Sequence, residues 1–217
     1  MFHFFSEVGM KELDLLDDNS SLSESIDSVL SNRRGLFVLK LPVDNYYEMN
    51  LLTIKYLLEQ GFKGVYVSFQ RPVENIRYWL EKFGIDVNDT VVLDGTGEEA
   101  SKDYADNVLP KDRKKIFDKI LVSLEKLQCD KKFVLIDSLT TMALINSNTW
   151  SHSFSKLLIS SREHSGFKDV VFLVNVAKDL FKKEIVKGIS SHADGVFNIS
   201  SYPENYSADV VKPEVLT

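Results

Sequence analysis

The chain has 217 residues, of which 44% are hydrophobic and 11% aromatic, so it is long enough to bury a globular core. Its 26 Lys and Arg residues are outnumbered by 32 Asp and Glu residues, and the net charge of −6 argues against a general attraction to nucleic acid. A single cysteine, Cys129, excludes an internal disulfide and fits a reducing compartment. Because there is neither a signal-peptide pattern nor an apolar run of about 18 residues, we expect a cytoplasmic protein that does not contact membranes.

Apolar periodicity predicts alternating helices and strands along the chain. A capping-box pattern, Ser21-Leu22-Ser23-Glu24, predicts a first helix over about 21–32. The predicted strands are 36–41, 64–69, 89–95, 132–137, 170–176 and 195–199, and the later helices are 49–60, 72–83, 111–128, 149–164 and 179–187. We expect an exposed loop over 95–109, a further loop that contains residues 146–148, and a weakly structured tail over 201–217.

This order of elements predicts an α/β fold. Strands such as 132–137 are continuous apolar runs, which are typical of sheets covered on both faces. We therefore expect a mostly parallel central sheet with helices on both faces. No linker or change in composition divides the chain, so the prediction is one domain over 1–217 with a core at about 20–200.

The turn at residues 41–48 lies where a nucleotide-binding α/β protein carries its phosphate-binding loop. Such a loop, G-x-x-x-x-G-K-[ST], uses glycines to bring backbone N–H groups to the phosphates, a lysine to neutralise them and a hydroxyl to hold magnesium. The residues at those positions here are Leu41, Tyr46, Tyr47 and Glu48. Asp44 and Glu48 also add negative charge at the start of the helix, where it would repel a triphosphate. The turn is either a degenerate phosphate loop or an ordinary strand-to-helix connection.

The order and spacing of four segments resemble the RecA-like ATPase superfamily, and within it the small KaiC-like proteins, over about residues 20–200. The matching segments are the strand-loop-helix of 35–61, the strand at 64–69, Phe133–Leu139 with its Asp-Ser pair, and His192–Val196 with its Ala-Asp pair. The resemblance implies a P-loop NTPase fold whose Walker A position is 41–48. It also implies that Asp137 and Ser138 occupy the Walker B position.

A second catalytic position of that family also differs in this chain. In the family, a carboxylate that follows the second strand polarises the attacking water. Here Gln70 and Arg71 stand at that place. Gln70 can orient a water molecule but cannot accept its proton, and Arg71 reverses the local charge. The two departures together predict a pseudo-ATPase with no catalytic residue.

Asp137 has two possible roles. By the resemblance it would hold a magnesium ion, usually through water, with Ser138 beside it. One carboxylate without a loop hydroxyl binds the ion poorly, and the alternative is that Asp137 ends the strand and hydrogen-bonds a neighbouring loop. We expect no other metal site, because the four histidines, His3, His152, His164 and His192, have no Cys, Asp or Glu beside them at ligand spacing.

The leading interpretation is a non-catalytic regulatory or scaffolding protein that acts through protein contacts and needs no cofactor. Its partner would be an active KaiC/RecA-like relative or a second copy of itself. Tyr46 and Tyr47 lie where phosphate would enter the nucleotide cleft. Tyrosines are enriched at protein interfaces, so the two side chains either contact a partner or fill the empty cleft. RecA-like domains usually bind nucleotide between neighbouring subunits, and a chain that no longer binds nucleotide lacks this contact. We therefore expect a monomer or dimer and not a hexamer.

Two alternatives stay open. One is an ATPase that binds ATP and magnesium through an atypical loop, with Lys40 or Lys55 in place of the missing lysine. The other is a single-stranded nucleic-acid binding module that uses Arg71, Arg77, Tyr78 and Trp79. Since Tyr78 and Trp79 are adjacent on a helix, we expect at most one of them to join such a surface.

Overall fold

The computed structural model describes residues 34–43, 46–96, 113–145, 148–161, 165–167, 169–177, 188–200 and 207–211. The predicted helices over 21–32 and 179–187 and most of the predicted loop over 95–109 lie outside these residues, as does Asp44. Among the described residues, no helix is long and apolar enough to cross a membrane.

Seven strands form one sheet in the order β3-β2-β4-β5-β1-β6-β7. They are β1 (Gly35–Leu41), β2 (Lys63–Ser68), β3 (Thr90–Asp94), β4 (Lys132–Asp137), β5 (Val170–Ala177), β6 (Gly195–Ser200) and β7 (Ser207–Val211). Neighbouring strands are parallel except β6 and β7, which pair antiparallel. The prediction of an α/β fold with a mostly parallel sheet is confirmed.

Five α-helices that are described from end to end lie between these strands. They are α1 (Tyr46–Glu59), α2 (Val73–Lys82), α3 (Arg113–Lys126), α4 (Leu139–Ile145) and α5 (Asn148–Ser161). Gly61 and Gly84 follow α1 and α2 with φ values of 77° and 68°, the left-handed conformation that glycine adopts readily at the end of a helix. The predicted role of Gly61 in ending its helix is confirmed.

The core has two layers because side chains alternate between the two faces of each strand. On one face, which we call the α1 face, Leu39 and Leu135 pack with Met49 and Ile54 of α1 and with Ile76 of α2. The opposite face, called the α3 face, is packed by α3, α4 and α5, and its buried residues include Val38, Ile136, Val174, Ile120 and Phe154. Strands covered on both faces explain the continuous apolar runs in the sequence.

The structure differs from the sequence prediction at three elements. The helix α1 begins at Tyr46 and not at Met49, because the Tyr46 side chain is only 7% exposed and packs into the core. A short helix, α4, follows β4 directly where only a loop was expected. Ser138 caps it, since its Oγ accepts a hydrogen bond of 3.0 Å from the backbone N–H of Thr141. Within the tail predicted to be weakly structured, residues 207–211 form β7 by pairing with β6.

The Ala-Asp pair of the sequence resemblance ties β6 to the start of β1. The Asp194 carboxylate accepts a hydrogen bond of 2.8 Å from the backbone N–H of Leu36. The N–H of Asp194 donates in turn to the carbonyl of Leu36 at 2.7 Å. In this chain the aspartate therefore anchors the first strand.

Candidate functional site at the carboxyl edge of the sheet

Three polar side chains lie side by side on the α1 face of three adjacent strands, near the carboxyl edge of the sheet. Ser68 of β2 pairs in register with Asp137 of β4, and the pairing of Ile136 with Val174 places Asn175 of β5 next to Asp137. Ser68, Asp137 and Asn175 are at most 1% exposed. We call these three residues the polar row. It lies at the edge where parallel α/β sheets bind ligands.

The first turns of α1 cover the polar row. Tyr46 and Asn50 are one helical turn apart, so their side chains lie on the same side of the helix, and they are 7% and 0% exposed. The side-chain Oδ1 of Asn50 accepts a hydrogen bond from the side-chain Nδ2 of Asn175. Burial raises the pKa of Tyr46 well above its ordinary value, and the nearby Asp137 charge raises it further. Tyr46 therefore stays a neutral phenol at the place where a phosphate loop would stand.

Asp137 is the only acidic member of the polar row. The Tyr66 hydroxyl donates a hydrogen bond to its Oδ2. Burial raises the pKa of Asp137 to about 6, although Tyr66, Tyr46 and Asn50 act to lower it, as does the charge of Arg71. Burial also raises the pKa of Tyr66, and the charge of Asp137 raises it further. Tyr66 therefore remains protonated and can donate. The carboxylate is thus held by a buried phenol.

The Gln70 side chain is hydrogen-bonded to the residue that follows Asp137. Its Nε2 donates a hydrogen bond of 3.0 Å to the Ser138 Oγ. That same Oγ accepts from the N–H of Thr141 and lies 3.1 Å from the Thr141 hydroxyl. Ser138 thus links Gln70 to the start of α4.

Arg71 packs against Tyr47 instead of reaching toward open solvent. Its guanidinium carbon lies 4.1 Å from the centroid of the Tyr47 ring, and its Nη1 donates to Asn75 at 3.3 Å. The Arg71 backbone N–H donates to Ser68 Oγ at 3.0 Å. Tyr47 is half-buried, and burial raises its pKa, with Arg71 acting in the opposite direction.

The structure brings most of the sequence-predicted site residues to one place. Tyr46, Tyr47, Gln70, Arg71, Asp137 and Ser138 all lie around the carboxyl edge near α1. Leu41 is fully buried at the end of β1, and Glu48 is exposed in the first turn of α1. The alternative interpretation of Asp137 was that its side chain hydrogen-bonds a neighbouring loop. Its Oδ2 instead accepts from Tyr66, which lies in the strand β2, whereas Ser138 contacts the start of α4.

Sequence reasoning missed the amide and phenol groups of the site, which are Asn50, Tyr66 and Asn175. Asn175 carried a signal, because it is the only polar residue in the apolar run of β5, Val170–Ala177. Asn50 follows Tyr46 by four residues, which places both on one side of a helix once the helix is known to start at Tyr46.

Neither proposed replacement lysine lies beside Asp137. Lys40 follows Leu39 in β1, so alternation places it on the α3 face, opposite to Asp137. Lys55 is nine residues into α1, about 14 Å along the helix from Tyr46. It is 4.0 Å from Glu59 in an ion pair. Among the described residues, no group of three or more His, Cys, Asp or Glu side chains could hold a metal ion.

Tyr78 and Trp79 contact each other, and Trp79 also packs against the core of the α1 face, so the expectation that at most one of them joins a nucleic-acid surface stays a prediction. The centroids of their rings are 5.5 Å apart and the ring planes are nearly perpendicular. Large aromatic side chains can make this contact even from adjacent positions on a helix. Trp79 also contacts the Tyr47 ring at 6.2 Å. Lys82 lies over the Tyr78 ring at 5.3 Å, and Tyr78 is 51% exposed. We call Arg71, Tyr47, Trp79, Tyr78 and Lys82 the aromatic strip.

Comparison with solved structures identifies the fold. The chain is similar to a KaiC-like protein of the hyperthermophilic archaeon Pyrococcus horikoshii, with a TM-score of 0.56 and 14% identity over 83% of this chain and 80% of that one. It is also similar to an uncharacterized protein of the same archaeon in complex with an unknown peptide. That match has a TM-score of 0.58 and 15% identity over 87% of this chain and 88% of that one.

These matches show that the chain has a KaiC-like, RecA-type fold. No protein-family model and no curated protein matches the sequence.

Proposed function

We propose that this chain is a non-catalytic protein of RecA-like fold that binds another protein and does not hydrolyse ATP. The observation that carries the proposal is the position of Tyr46. Its ring is buried in the first turn of α1 and lies close to Asp137 at the end of β4, at the edge of the sheet where phosphates would enter. A triphosphate cannot approach Asp137 without displacing this side chain.

The groups around Asp137 support the same conclusion. Its Oδ2 already accepts from Tyr66, and the described residues supply neither a glycine-rich backbone nor a lysine beside it. Gln70 is bonded to Ser138, and Arg71 stacks on Tyr47. The residues present therefore do not fit magnesium with a triphosphate, and we assign no catalytic step.

The aromatic strip favours protein over single-stranded nucleic acid as the partner. Bases bind aromatic side chains by stacking on exposed ring faces. Here Arg71 covers a face of Tyr47, Lys82 covers a face of Tyr78, and the Trp79 ring meets both tyrosines edge to face. Aromatic and arginine side chains of this kind are enriched at protein interfaces. The solved structure of similar fold that contains an unknown peptide is consistent with a protein ligand.

Calorimetry with magnesium and ATP tests the loss of nucleotide binding. We expect no heat of binding at millimolar nucleotide and no release of phosphate. Binding at micromolar concentration would overturn the proposal and favour the atypical ATPase. Light scattering in the absence of nucleotide should give a monomer or dimer, and a hexamer would contradict the expected assembly state.

Capture of the tagged protein from its native cells tests the protein contact. The informative variant is Tyr78→Ala, which shortens the exposed tyrosine of the aromatic strip. Its matched control is Val122→Ala on α3, because Val122 is 50% exposed and Tyr78 is 51% exposed, on helices that cover opposite faces of the sheet. A partner retained by Val122→Ala and lost by Tyr78→Ala supports the proposal. Equal retention by both variants would exclude the aromatic strip as the contact surface.

A further inference from the structure

The aromatic strip carries a positive charge at each end. Its members contact one another in the order Arg71, Tyr47, Trp79, Tyr78 and Lys82. Arg71 lies over the Tyr47 ring and Lys82 over the Tyr78 ring, so each cation is held against an aromatic ring by a cation–π contact. The strip is therefore an aromatic surface bounded by two cations.

The acidic residues near the strip lie on other sides of their helices. At about 100° per residue, Glu74 and Glu81 of α2 fall within about 20° of each other, and Lys82 lies at least about 80° away from both. Glu48 follows Tyr47 in α1 and therefore points about 100° away from it around that helix. The charge on the strip itself is positive, although the whole chain has a net charge of −6.

The contacts of the two cations leave room for a carboxylate. Stacking on a ring occupies the face of a guanidinium, whereas its N–H donors lie at its edge. Arg71 is held in place by its backbone N–H, which donates to Ser68 Oγ at 3.0 Å, and by its Nη1, which donates to Asn75 at 3.3 Å. The Lys82 side chain is exposed, and its ammonium group has three donors. A carboxylate can bind either cation without breaking its contact with the ring, and such charged hydrogen bonds are stronger than neutral ones.

We infer that the aromatic strip binds an acidic segment of a protein partner, in which carboxylate side chains flank apolar or aromatic ones. The carboxylates bind Arg71 and Lys82, and the apolar side chains cover the rings between them. Tyr78 is 51% exposed, so it has surface to bury in such a contact. The inference rests on the proposed function, because it assigns the chemistry of the partner that the same surface binds.

Selection of a phage-displayed library of random dodecapeptides on the full-length chain tests this inference. We expect the enriched peptides to carry Asp or Glu on both sides of aromatic or aliphatic residues. One enriched peptide, labelled with fluorescein, is then titrated with the variant Lys82→Gln and with its matched control, Lys126→Gln. Lys82 and Lys126 are exposed lysines in the last turns of α2 and α3. Lys82→Gln should weaken binding about two- to fivefold, as expected for an exposed ion pair, and Lys126→Gln should leave it unchanged.

The variants Arg71→Gln and Tyr78→Ala separate the chemistry of the partner from the surface that binds it. Peptides that bind Arg71→Gln and Lys82→Gln as tightly as wild type, but are lost with Tyr78→Ala, would refute the acidic partner and leave the proposed function intact. Peptides unaffected by Tyr78→Ala would contradict the strip as the contact surface, and a library without enrichment would count against both proposals. Tighter binding of a thymidine oligonucleotide, weakened by the same substitutions, would instead assign the two cations to phosphates.

Discussion

The two faces of the sheet end differently at the carboxyl edge. On the α3 face, the residues of β2, β4 and β5 near this edge are apolar and include Val67, Ile136 and Val174. On the α1 face, the same strands carry Ser68, Asp137 and Asn175 at this level, and all six residues are at most 1% exposed. Since the same strands supply both sets, the sheet does not need polar groups at this level. The polar row is a property of the site and not of the fold.

Ile136 tests the apolar face and should give the largest loss of stability. It precedes Asp137 in β4 and is 0% exposed. Ile136→Ala leaves a cavity in the α3 face, and we expect the free energy of unfolding to fall by about 2–5 kcal/mol in urea titrations. The exposed control Val122→Ala should change it by less than about 0.5 kcal/mol. A loss below about 1 kcal/mol for Ile136→Ala would mean that this face is loosely packed.

Asp137 tests the polar face, where we expect a substitution to increase the free energy of unfolding. Burial raises the pKa of Asp137 from 3.8 to about 6. The folded protein therefore binds this proton more tightly than the unfolded chain, and the associated stability is present below about pH 4 and lost as the pH rises through about 6. A shift of about two pKa units corresponds to about 3 kcal/mol at pH 7.5. Asp137→Asn, which cannot ionise, should be more stable than wild type by about this amount at pH 7.5.

The measurement is the difference in unfolding free energy between Asp137→Asn and wild type as a function of pH. It should be close to zero near pH 4 and reach its full value above about pH 7. The difference isolates Asp137 from the other carboxyl groups, which both proteins share. A difference that does not vary between pH 4 and 7.5 would show that the carboxyl pKa is not raised in the folded state.

The comparison of the two faces also explains what the sequence could and could not predict. Apolar runs such as Lys132–Asp137 and Val170–Ala177 placed the strands, because burial on both faces leaves few polar residues in them. Asp137 was found because the Asp-Ser pair that ends such a run resembles the Walker B strand of the RecA-like family. Asn50 and Tyr66 were not found, since an Asn in a helix and a Tyr in a strand are ordinary residues until the register places them beside a carboxylate.

The start of α1 and the strand β7 depended on tertiary contacts. A helix beginning at Tyr46 is stabilised by burial of the Tyr46 ring against the sheet, which local propensity does not report. The five residues of β7 gain their structure from pairing with β6. The degenerate phosphate-binding chemistry stays a prediction that nucleotide-binding measurements must test.

Tyr66 tests whether Asp137 is charged in the folded protein at neutral pH. Its hydroxyl donates to the carboxylate in the buried site, and a hydrogen bond to a charged group is worth about 1.5–3 kcal/mol. Tyr66→Phe should destabilise the protein by about that amount at pH 7.5 and by less at pH 5, where Asp137 is protonated. Because this hydrogen bond lowers the pKa of Asp137, the variant should also raise that pKa above about 6. An equal loss at both pH values would indicate that packing of the hydroxyl, and not its bond to the charge, is responsible.

Ser68 should give the smallest effect within the polar row. Its Oγ accepts from the backbone N–H of Arg71 at 3.0 Å and from that of Gln70 at 3.4 Å. Ser68→Ala removes the acceptor of the turn that holds Gln70 and Arg71, and we expect a loss of about 1 kcal/mol in urea titrations. The control is Ser160→Ala, because Ser160 is exposed on α5 and its hydroxyl donates to a carbonyl of its own helix. If the two variants lose equal stability, the polar row does not fix the turn after β2, and the distinction between the two faces reduces to Asp137 and Asn175.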